Sequence, residues 1–208
     1  HLETAAELLL DSADEAGLAV VRSLLGGVQV QLGQAESGQR QFEQALAAFA
    51  ALELPDRVTE TRHNLACLHN HVGQFSEALA LSMANASEAN RLKNITLLAH
   101  IEATITEALC GLHRYAEAVA RARAALLRSR PGSRGELDVM LWLGTALDKH
   151  GQREEALAML RNTLAVSDAA GMPTNRALLG ALSDLCRRTG HDDEAMRYET
   201  LVAEGTRD

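Results

Sequence analysis

The sequence is poor in aromatic residues and proline. Aromatics make up 3% of the 208 residues and there are three prolines, although hydrophobic residues as a whole make up 47%. Abundant Ala and Leu with little Pro favour helix over strand. A chain of this length buries roughly 70% of the surface that its unfolded form exposes. We therefore expect a folded, all-α protein.

Long apolar runs and basic stripes are also missing. Apolar runs, such as LLL at residues 8–10, are far shorter than the ~20 residues that cross a bilayer, so we expect no membrane partner. The formal net charge is −8, with acidic residues spread along the chain. A phosphate backbone would be repelled, so we expect no direct contact with nucleic acid.

Cysteines are few and widely spaced. Cys67, Cys110 and Cys186 are an odd number without a CxxC motif, which argues against a disulfide framework or a zinc knuckle. This usage favours a reducing, cytoplasmic location. The sequence opens at His1 without a Met, so we expect a piece of a longer protein.

Signatures of catalysis are missing as well. The sequence has no GxSxG, GxxxxGK[ST], HExxH or GxGxxG motif. Paired acids at 154–155 and 192–193 begin predicted helices, where negative charge favours the helix dipole. We expect no enzymatic activity and no cofactor.

What the sequence does contain is an eleven-residue pattern that returns at a nearly fixed interval. It reads HNHVGQFSEAL from residue 69, LDKHGQREEAL from 147 and CRRTGHDDEAM from 186, with weaker copies from 29 and 109. The successive steps are 40, 40, 38 and 39 residues. Such a period is typical of stacked helical units that bury their apolar faces against one another. The central Gly permits a tight turn, so each copy predicts a helical hairpin.

Apolar stripes at helical spacing flank each turn, for instance Leu65, Leu68 and Val72. They predict A helices at 19–32, 57–72, 95–112, 135–150 and 175–189, B helices at 35–52, 75–91, 115–130, 153–170 and 192–204, and a leading helix at 2–16. Prolines at positions 55, 131 and 173 lie between units and prevent the preceding helix from continuing. We predict one domain, 1–208, with repeats at 19–54, 55–93, 94–132, 133–172 and 173–205.

These units resemble the tetratricopeptide repeat (TPR). The resemblance rests on Leu-Gly pairs at 25–26 and 143–144, on the turn glycines Gly73 and Gly151, and on the segments Phe-x-Glu-Ala at 75–78 and Tyr-x-Glu-Ala at 115–118. The units exceed the family's ~34 residues, His113 stands where a turn Gly is expected, and Gly38 replaces the usual Ala. Longer units of this kind are similar to those of bacterial transcriptional activators, peptide-sensing cytoplasmic regulators and some eukaryotic polarity adaptors.

The resemblance implies a right-handed α-α superhelical solenoid of about five hairpins, whose A helices line a concave binding surface. It implies a non-catalytic scaffold for a protein or peptide, as in the sensory or partner-binding domain of a bacterial regulatory protein. Carrying over the family's groove-facing positions gives the expected contact residues: Glu60, His63, Asn64, Cys67, Asn70, His71, His100, Glu107, Asp138, Leu141, Trp142, Thr145, Asp148, Asp184 and Arg187.

Two of these residues have competing interpretations. Asn64 is able to bracket a ligand's peptide backbone, because an amide both donates and accepts hydrogen bonds. It is equally suited to an interhelical hydrogen bond. Trp142 is either an anchor for a partner or a side chain packed between neighbouring A helices.

Other functions remain open. His63, Cys67 and His71 share one helical face, and with His100 they offer ligands for zinc or copper, which makes a metal-responsive module an alternative to our expectation of no metal. A small-molecule sensor and a structural homo-oligomerisation scaffold are further alternatives. TPR chaperone adaptors bind a terminal carboxylate through Lys, Arg and Asn at fixed positions. At the matching positions this chain has Ser23, Gly27, Asn64, His100 and Thr104, of which only Asn64 is the residue that the adaptors use, so we do not expect a carboxylate-binding adaptor.

The expected face holds more acids than fixed positive charges, so we expect a neutral to basic partner. The predicted leading helix lacks a partner helix in front of it, and the last predicted B helix lacks a capping helix after it. Solenoid ends need polar caps or a docked neighbour, so a homodimer through an uncapped end competes with an upstream continuation of the chain.

Overall fold

The protein is described by a computed structural model covering residues 14–173 and 175–204, and helices joined by turns account for this part of the chain. In chain order the helices are α1 (Glu15–Gln31), α2 (Ala35–Ala51), α3 (Pro55–His71), α4 (Phe75–Arg91), α5 (Ile95–Gly111), α6 (Tyr115–Leu126), α7 (Arg134–Lys149), α8 (Arg153–Ala169), α9 (Arg176–Arg188) and α10 (Asp192–Glu204). The expected all-α class is confirmed. Odd-numbered helices correspond to the predicted A helices and even-numbered ones to the B helices.

Two boundaries differ from the prediction. The break expected between the leading helix 2–16 and helix A at 19 is absent, because α1 already begins at Glu15. The Asp14 carboxylate accepts a hydrogen bond from the Gly17 N–H at 2.8 Å and caps α1. Residues 2–13 of the predicted leading helix lie outside the described residues.

The second difference is at the end of α6, which stops at Leu126 instead of residue 130. The Arg128 N–H bonds the Ala125 carbonyl three residues back, and the Ser129 hydroxyl donates to the same carbonyl at 3.0 Å. Serine hydroxyls compete in this way with the helical hydrogen-bond ladder. α6 therefore has 12 residues, against 17 in α2, α4 and α8.

The chain divides into two compact units, residues 1–97 and 98–208, with the division inside α5. In the first unit α1 packs on α2, α2 on α3 and α3 on α4, with Phe42 and Phe49 in the core. In the second unit α6 packs on α7, α7 on α8, α8 on α9 and α9 on α10. Leu143 and Leu160 are among its fully buried side chains. Most packing is therefore between helices adjacent in sequence.

Residues in the left-handed conformation mark the turns at an almost constant interval. Positive φ occurs at positions 33, 53, 73, 93, 113, 132, 151, 171 and 190, so these residues recur every 19 or 20 positions. At Gly73 the N–H donates to the Asn70 carbonyl at 3.0 Å, and the N–H of Gln74 donates to the His69 carbonyl at 2.8 Å. This pair of bonds satisfies the last carbonyls of the helix and reverses the chain.

His113, where the repeat pattern expects Gly, adopts the same conformation with φ of 60°. Its N–H and that of Arg114 make the corresponding bonds to Cys110 and Leu109. The His113 Nδ1 also hydrogen-bonds the Tyr115 hydroxyl at 2.5 Å. The turn is therefore kept without a Gly.

Gly38 stands in place of the Ala that the family pattern expects, because α1 and α2 approach closely here. A Cβ at this position would lie 2.6 Å from Val30 Cγ2 and 2.8 Å from the Gly26 carbonyl oxygen. Atoms at these distances overlap, and the second is backbone. The hairpin geometry thus requires Gly.

None of the helices formed by residues 14–173 and 175–204 has the length and hydrophobicity that crossing a membrane requires.

Candidate functional site on the A helices

The expected contact residues of the first unit lie on α3, and we call them the α3 face: Glu60, His63, Asn64, Cys67, Asn70 and His71. Pro55 starts α3, and the turn at Gly73 follows its end. Glu60, His63, Asn64 and Cys67 are half-buried and His71 is exposed, as expected for a helix lining a surface. Asn70 is only 4% exposed, so its side chain belongs to the interior.

His63 and Cys67 contact each other on the α3 face. The Cys67 Sγ lies 3.7 Å from His63 Nε2 and 3.9 Å from Nδ1. Within residues 14–173 and 175–204, however, no three His, Cys, Asp or Glu side chains are grouped so that they could hold a metal ion. The His63, Cys67, His71 and His100 set therefore gains no geometric support as a ligand shell.

In the second unit the face begins with His100 on α5 and Asp138 on α7. His100 Nδ1 lies 3.2 Å from a carboxylate oxygen of Asp138, and Arg134 Nε lies 3.3 Å from the other oxygen. Asp138 is thus held between two neighbours, one from each A helix. Glu107, also expected on α5, is half-buried.

The remaining expected residues of α7 are Leu141, Trp142, Thr145 and Asp148, which together with Asp138 we call the α7 face. Trp142 and Thr145 are half-buried, and the Thr145 hydroxyl donates to the Leu141 carbonyl at 3.0 Å. Leu141 is 7% exposed and packs inward. Trp142 is the one aromatic side chain of the expected set and it remains partly accessible.

Asp148 is tied to the next A helix. Arg188 of α9 donates two hydrogen bonds to its carboxylate at 2.8 and 2.5 Å, and the Asp148 side chain is 8% exposed. Hydrogen bonding to Asp148 raises the pKa of Arg188 above its usual value. A two-point guanidinium–carboxylate bond fixes both side chains.

Asp184 and Arg187, the expected residues of α9, are both exposed. Arg187 donates hydrogen bonds at 2.9 and 2.7 Å to Glu199 of α10, and the Ser183 hydroxyl donates to the same carboxylate at 2.9 Å. Hydrogen bonds from Arg187, followed by that from Ser183, lower the pKa of Glu199. Arg187 is therefore engaged with its own hairpin partner.

Sequence reasoning missed the residues that neutralise the acids of this face, namely Arg134 and Arg188. A signal for one of them was present, because Arg188 follows Asp148 by 40 residues, one repeat period. A similar interval of 38 residues separates His100 from Asp138. The two members of each hydrogen-bonded pair thus lie about one period apart, on adjacent A helices.

Comparison with known proteins bears on the fold. No protein-family model matches the sequence. No curated protein matches it either. Solved structures do: TTC0263, a thermophilic TPR protein of Thermus thermophilus, is 21% identical with a TM-score of 0.72, over 89% of this chain and 90% of that one.

Two further structures resemble the chain at lower identity. A Rap protein complexed with competence and sporulation factor is 12% identical with a TM-score of 0.78, over 91% of this chain and 53% of that one, so this chain spans about half its length. BtubC (BKLC) from P. vanneervenii is 19% identical with a TM-score of 0.71, over 98% and 85% of the two chains. These likenesses confirm the expected fold: the chain is an α-α solenoid built of tetratricopeptide-type hairpins.

Proposed function

We propose that the protein is a non-catalytic module that binds a protein or peptide segment on its A helices. The observation that carries this proposal is the α7 face, which combines a partly accessible Trp142 with two carboxylates, Asp138 and Asp148, that hydrogen-bond to neighbouring A helices. Side chains that are fixed before binding lose little conformational entropy when a partner docks. The fold supports the proposal, because TPR solenoids use such surfaces for binding.

The partner is neutral to basic, with uncharged contacts dominating. The net charge of −8 opposes an acidic partner at long range. Asp138 and Asp148 are engaged with Arg134 and Arg188, which leaves them little capacity to attract a strongly basic segment. The exposed Asp184 is the acid best placed to contact a Lys or Arg of the partner.

A role as the sensory or partner-binding domain of a bacterial regulator is our finer proposal. Its support is the likeness to the Rap protein whose structure contains competence and sporulation factor. We place the protein in a reducing cytoplasm, since all three cysteines are free thiols and Cys110 and Cys186 are buried.

The test is binding of a peptide array by the full chain, followed by titration calorimetry of the best peptides. We expect Trp142→Ala and Asn64→Ala to weaken binding about tenfold or more, as for truncated hot spots. Met83→Ala, which truncates an exposed side chain of the B helix α4, is the matched control. Unchanged affinity in both A-helix variants, with unchanged melting temperature, would remove the A helices as the binding surface. Asp148→Lys is unsuitable, because it leaves Arg188 facing a like charge.

A small-molecule sensor has one supporting observation in the first unit. A hollow of about 380 Å³ lies at the α2–α3 turn, lined by Leu54, Pro55, Val58 and Arg62 among others. A volume in this range suits a small ligand. By contrast, the cavity beside Arg134 and Asp138 in the second unit measures about 10 Å³, room for a single water. A metabolite screen by thermal shift, with Val58→Trp to fill the hollow, tests this alternative.

A homodimer is a further proposal, and α1 supports it. Leu24, Val28 and Leu32 recur every four residues and are 56%, 41% and 68% exposed. By comparison, Leu68, which occupies the position of Val28 one repeat period later, is covered by its neighbours and only 2% exposed. An apolar stripe of this kind is suited to cover by a second copy. Light scattering at two concentrations should show a dimer that Leu24→Ser with Leu32→Ser abolishes, whereas a monomer at both concentrations excludes it.

A further inference from the structure

The segment between α6 and α7, residues 127–133, has a charge opposite to that of the whole chain. The protein carries a net charge of −8, yet no acidic residue occurs between Glu117 and Glu136. The same interval holds five of the chain's 20 basic residues: Arg121, Arg123, Arg128, Arg130 and Arg134. We call residues 127–133 the basic loop.

Three of the five arginines are occupied. Arg121 donates two hydrogen bonds to the buried Glu102, Arg123 pairs with Glu155 at 2.5 Å, and Arg134 pairs with Asp138. The two within the basic loop are not held in this way.

Arg128 and Arg130 are the available guanidinium groups. Arg128 has a single contact of 3.3 Å with Glu102, and 59% of its side chain is exposed. Arg130 is exposed, and within residues 14–173 and 175–204 its side chain makes no ion pair or hydrogen bond. A guanidinium group with donors left over offers bidentate hydrogen bonds that fit a carboxylate.

Leu127 adds an apolar contact next to these charges. It is 90% exposed, the highest value among the exposed large hydrophobic residues of the described chain. Fourteen residues after the hairpin turn, the other repeats place Ala47, Ser87, Ala165 and Glu204, and all four are exposed. Leu127 is therefore a large apolar residue at a surface position that the other repeats fill with small or charged residues.

The basic loop is held in place at both ends. On the α6 side the Ser129 hydroxyl bonds the Ala125 carbonyl at 3.0 Å. On the α7 side the Gly132 N–H donates to the Glu136 carboxylate at 2.6 Å, while the Glu136 N–H donates to the Ser133 hydroxyl at 3.3 Å. This reciprocal cap fixes the start of α7. The loop is thus preorganised, which lowers the entropic cost of binding.

We propose that the basic loop is a docking surface for an acidic protein segment in which carboxylates flank an apolar side chain. Arg128 and Arg130 bind the carboxylates, and Leu127 covers the apolar residue. The net charge of −8 repels an acidic segment, a nucleic acid and an anionic membrane alike, so it does not choose among them. Nucleic acid fits less well, because a phosphate backbone offers Leu127 no apolar contact. An anionic membrane gains only about 1 kcal/mol per basic residue, so the two available arginines contribute little to membrane binding.

The test measures binding of a fluorescent twelve-residue peptide that repeats Glu-Glu-Leu to the full chain. Binding is detected by fluorescence anisotropy at physiological salt. We expect Arg130→Glu to weaken binding about tenfold, since like charges at a contact are strongly unfavourable. Arg197→Glu on α10 makes the same change of charge at another exposed arginine and is expected to change affinity less than about twofold. Leu127→Ser should reduce affinity for the Glu-Glu-Leu peptide but not for one that repeats Glu-Glu-Ser, with Leu201→Ser as its control.

Three outcomes overturn the proposal. Equal losses in Arg130→Glu and Arg197→Glu would mean that general charge, not the basic loop, binds the peptide. Failure to bind the peptide at millimolar concentration would remove the site. Tighter binding of a uridine oligonucleotide or of phosphatidylglycerol vesicles would assign the loop to another class of partner. The basic loop shares no residue with the α7 face, so its failure leaves the proposal for the A helices untouched.

Discussion

At the scale of single residues, the turns show that backbone conformation outweighs residue type. Glu53, Lys93 and His113 have φ of 55°, 57° and 60°, where L-residues are rarely found. Each occupies a turn position that Gly holds elsewhere in the chain. The packing of the flanking helices supplies the free energy that holds these side chains in the left-handed region.

Relieving this strain should stabilise the protein. We expect Lys93→Gly to raise the free energy of unfolding by about 1 kcal/mol, because an L-residue in the left-handed region costs about that much and Gly does not. Lys93 is exposed, so little packing is lost. Urea denaturation measures the change. Lys149→Gly, at the last residue of α7, is the control and should lower the free energy of unfolding; a loss of stability in both variants contradicts the account.

The partners and burial of single side chains were the part of the structure that the sequence did not predict. The expectation that α3 and α7 form a binding face came from the repeat pattern and the family resemblance, and it stays a prediction. The engagement of Asp148 by Arg188 was not predicted, because a repeat alignment places helices but does not say which exposed charges meet. Asn70 and Leu141 were expected to be accessible and proved to be buried, at 4% and 7%.

At the scale of elements, close helix contact depends on a few small residues. α1 and α2 meet at Gly26 and Gly38, and α7 meets α8 at Gly144, where an added Cβ would lie 2.5 Å from Leu160 Cδ2. The Leu-Gly pairs that carried the family resemblance are therefore points of helix contact. By contrast, an added Cβ at Gly180 of α9 would meet nothing within 4 Å.

This contrast gives a paired prediction. Gly38→Ala should lower the free energy of unfolding by about 2 kcal/mol, because overpacking a close contact commonly costs 1–3 kcal/mol. Gly180→Ala should raise it by up to about 1 kcal/mol, because Ala has the higher helix propensity and meets no obstacle. Thermal and urea unfolding of both variants provide the comparison, and a stabilised Gly38→Ala would show that the α1–α2 approach is looser than described.

A buried carboxylate joins α5 to α6. Glu102 is 3% exposed and receives two hydrogen bonds from Arg121 and one contact from Arg128. Its position was invisible in the sequence, where a Glu on an A helix is normally read as an accessible residue. The predicted end of α6 at residue 130 was wrong. It was placed there because Pro131 is the first helix-breaking residue in the sequence, whereas the hydrogen bond from the Ser129 hydroxyl to the Ala125 carbonyl accompanies an earlier end.

Removing this carboxylate should be costly. We expect Glu102→Ala to lower the free energy of unfolding by about 3 kcal/mol, because it deprives Arg121 of its partner in a largely buried site. Glu117→Ala removes an exposed carboxylate that pairs with Arg114, and should cost much less, because exposed ion pairs contribute little to stability. Equal losses in the two variants, measured by urea denaturation, would contradict the special role of Glu102.

At the scale of the whole molecule, ion pairs between successive B helices recur within the second unit. Arg123 of α6 pairs with Glu155 of α8, and Arg161 of α8 pairs with Glu194 of α10. The hydrogen bonds from Arg161, and then that from Tyr198, lower the pKa of Glu194 to about 2, despite partial burial. Burial, followed by the hydrogen bond to Glu194, raises the pKa of Tyr198 to about 12.

These shifts predict how stability responds to pH. Because the pKa of Glu194 falls from 4.5 to about 2 on folding, its contribution to the free energy of unfolding is present above pH 4.5 and is lost as the pH falls towards 2. The raised pKa of Tyr198 works in the opposite sense: its contribution is present below pH 10 and is lost as the pH rises towards 12. Arg161→Gln should therefore flatten the acid-side loss of unfolding free energy, whereas Arg197→Gln should not. Parallel curves for the parent and Arg161→Gln would contradict this assignment.

The regular spacing of the left-handed residues limits where the chain can change in length. One residue inserted within a helix turns everything beyond it by about 100°, so side chains that met the neighbouring hairpin would point elsewhere. Insertions and deletions should thus be tolerated where helical hydrogen bonding has already stopped, and residues 127–133 provide the longest such stretch between two described helices. Variants of this protein that differ in size should differ there, beside the arginines that we assign to docking.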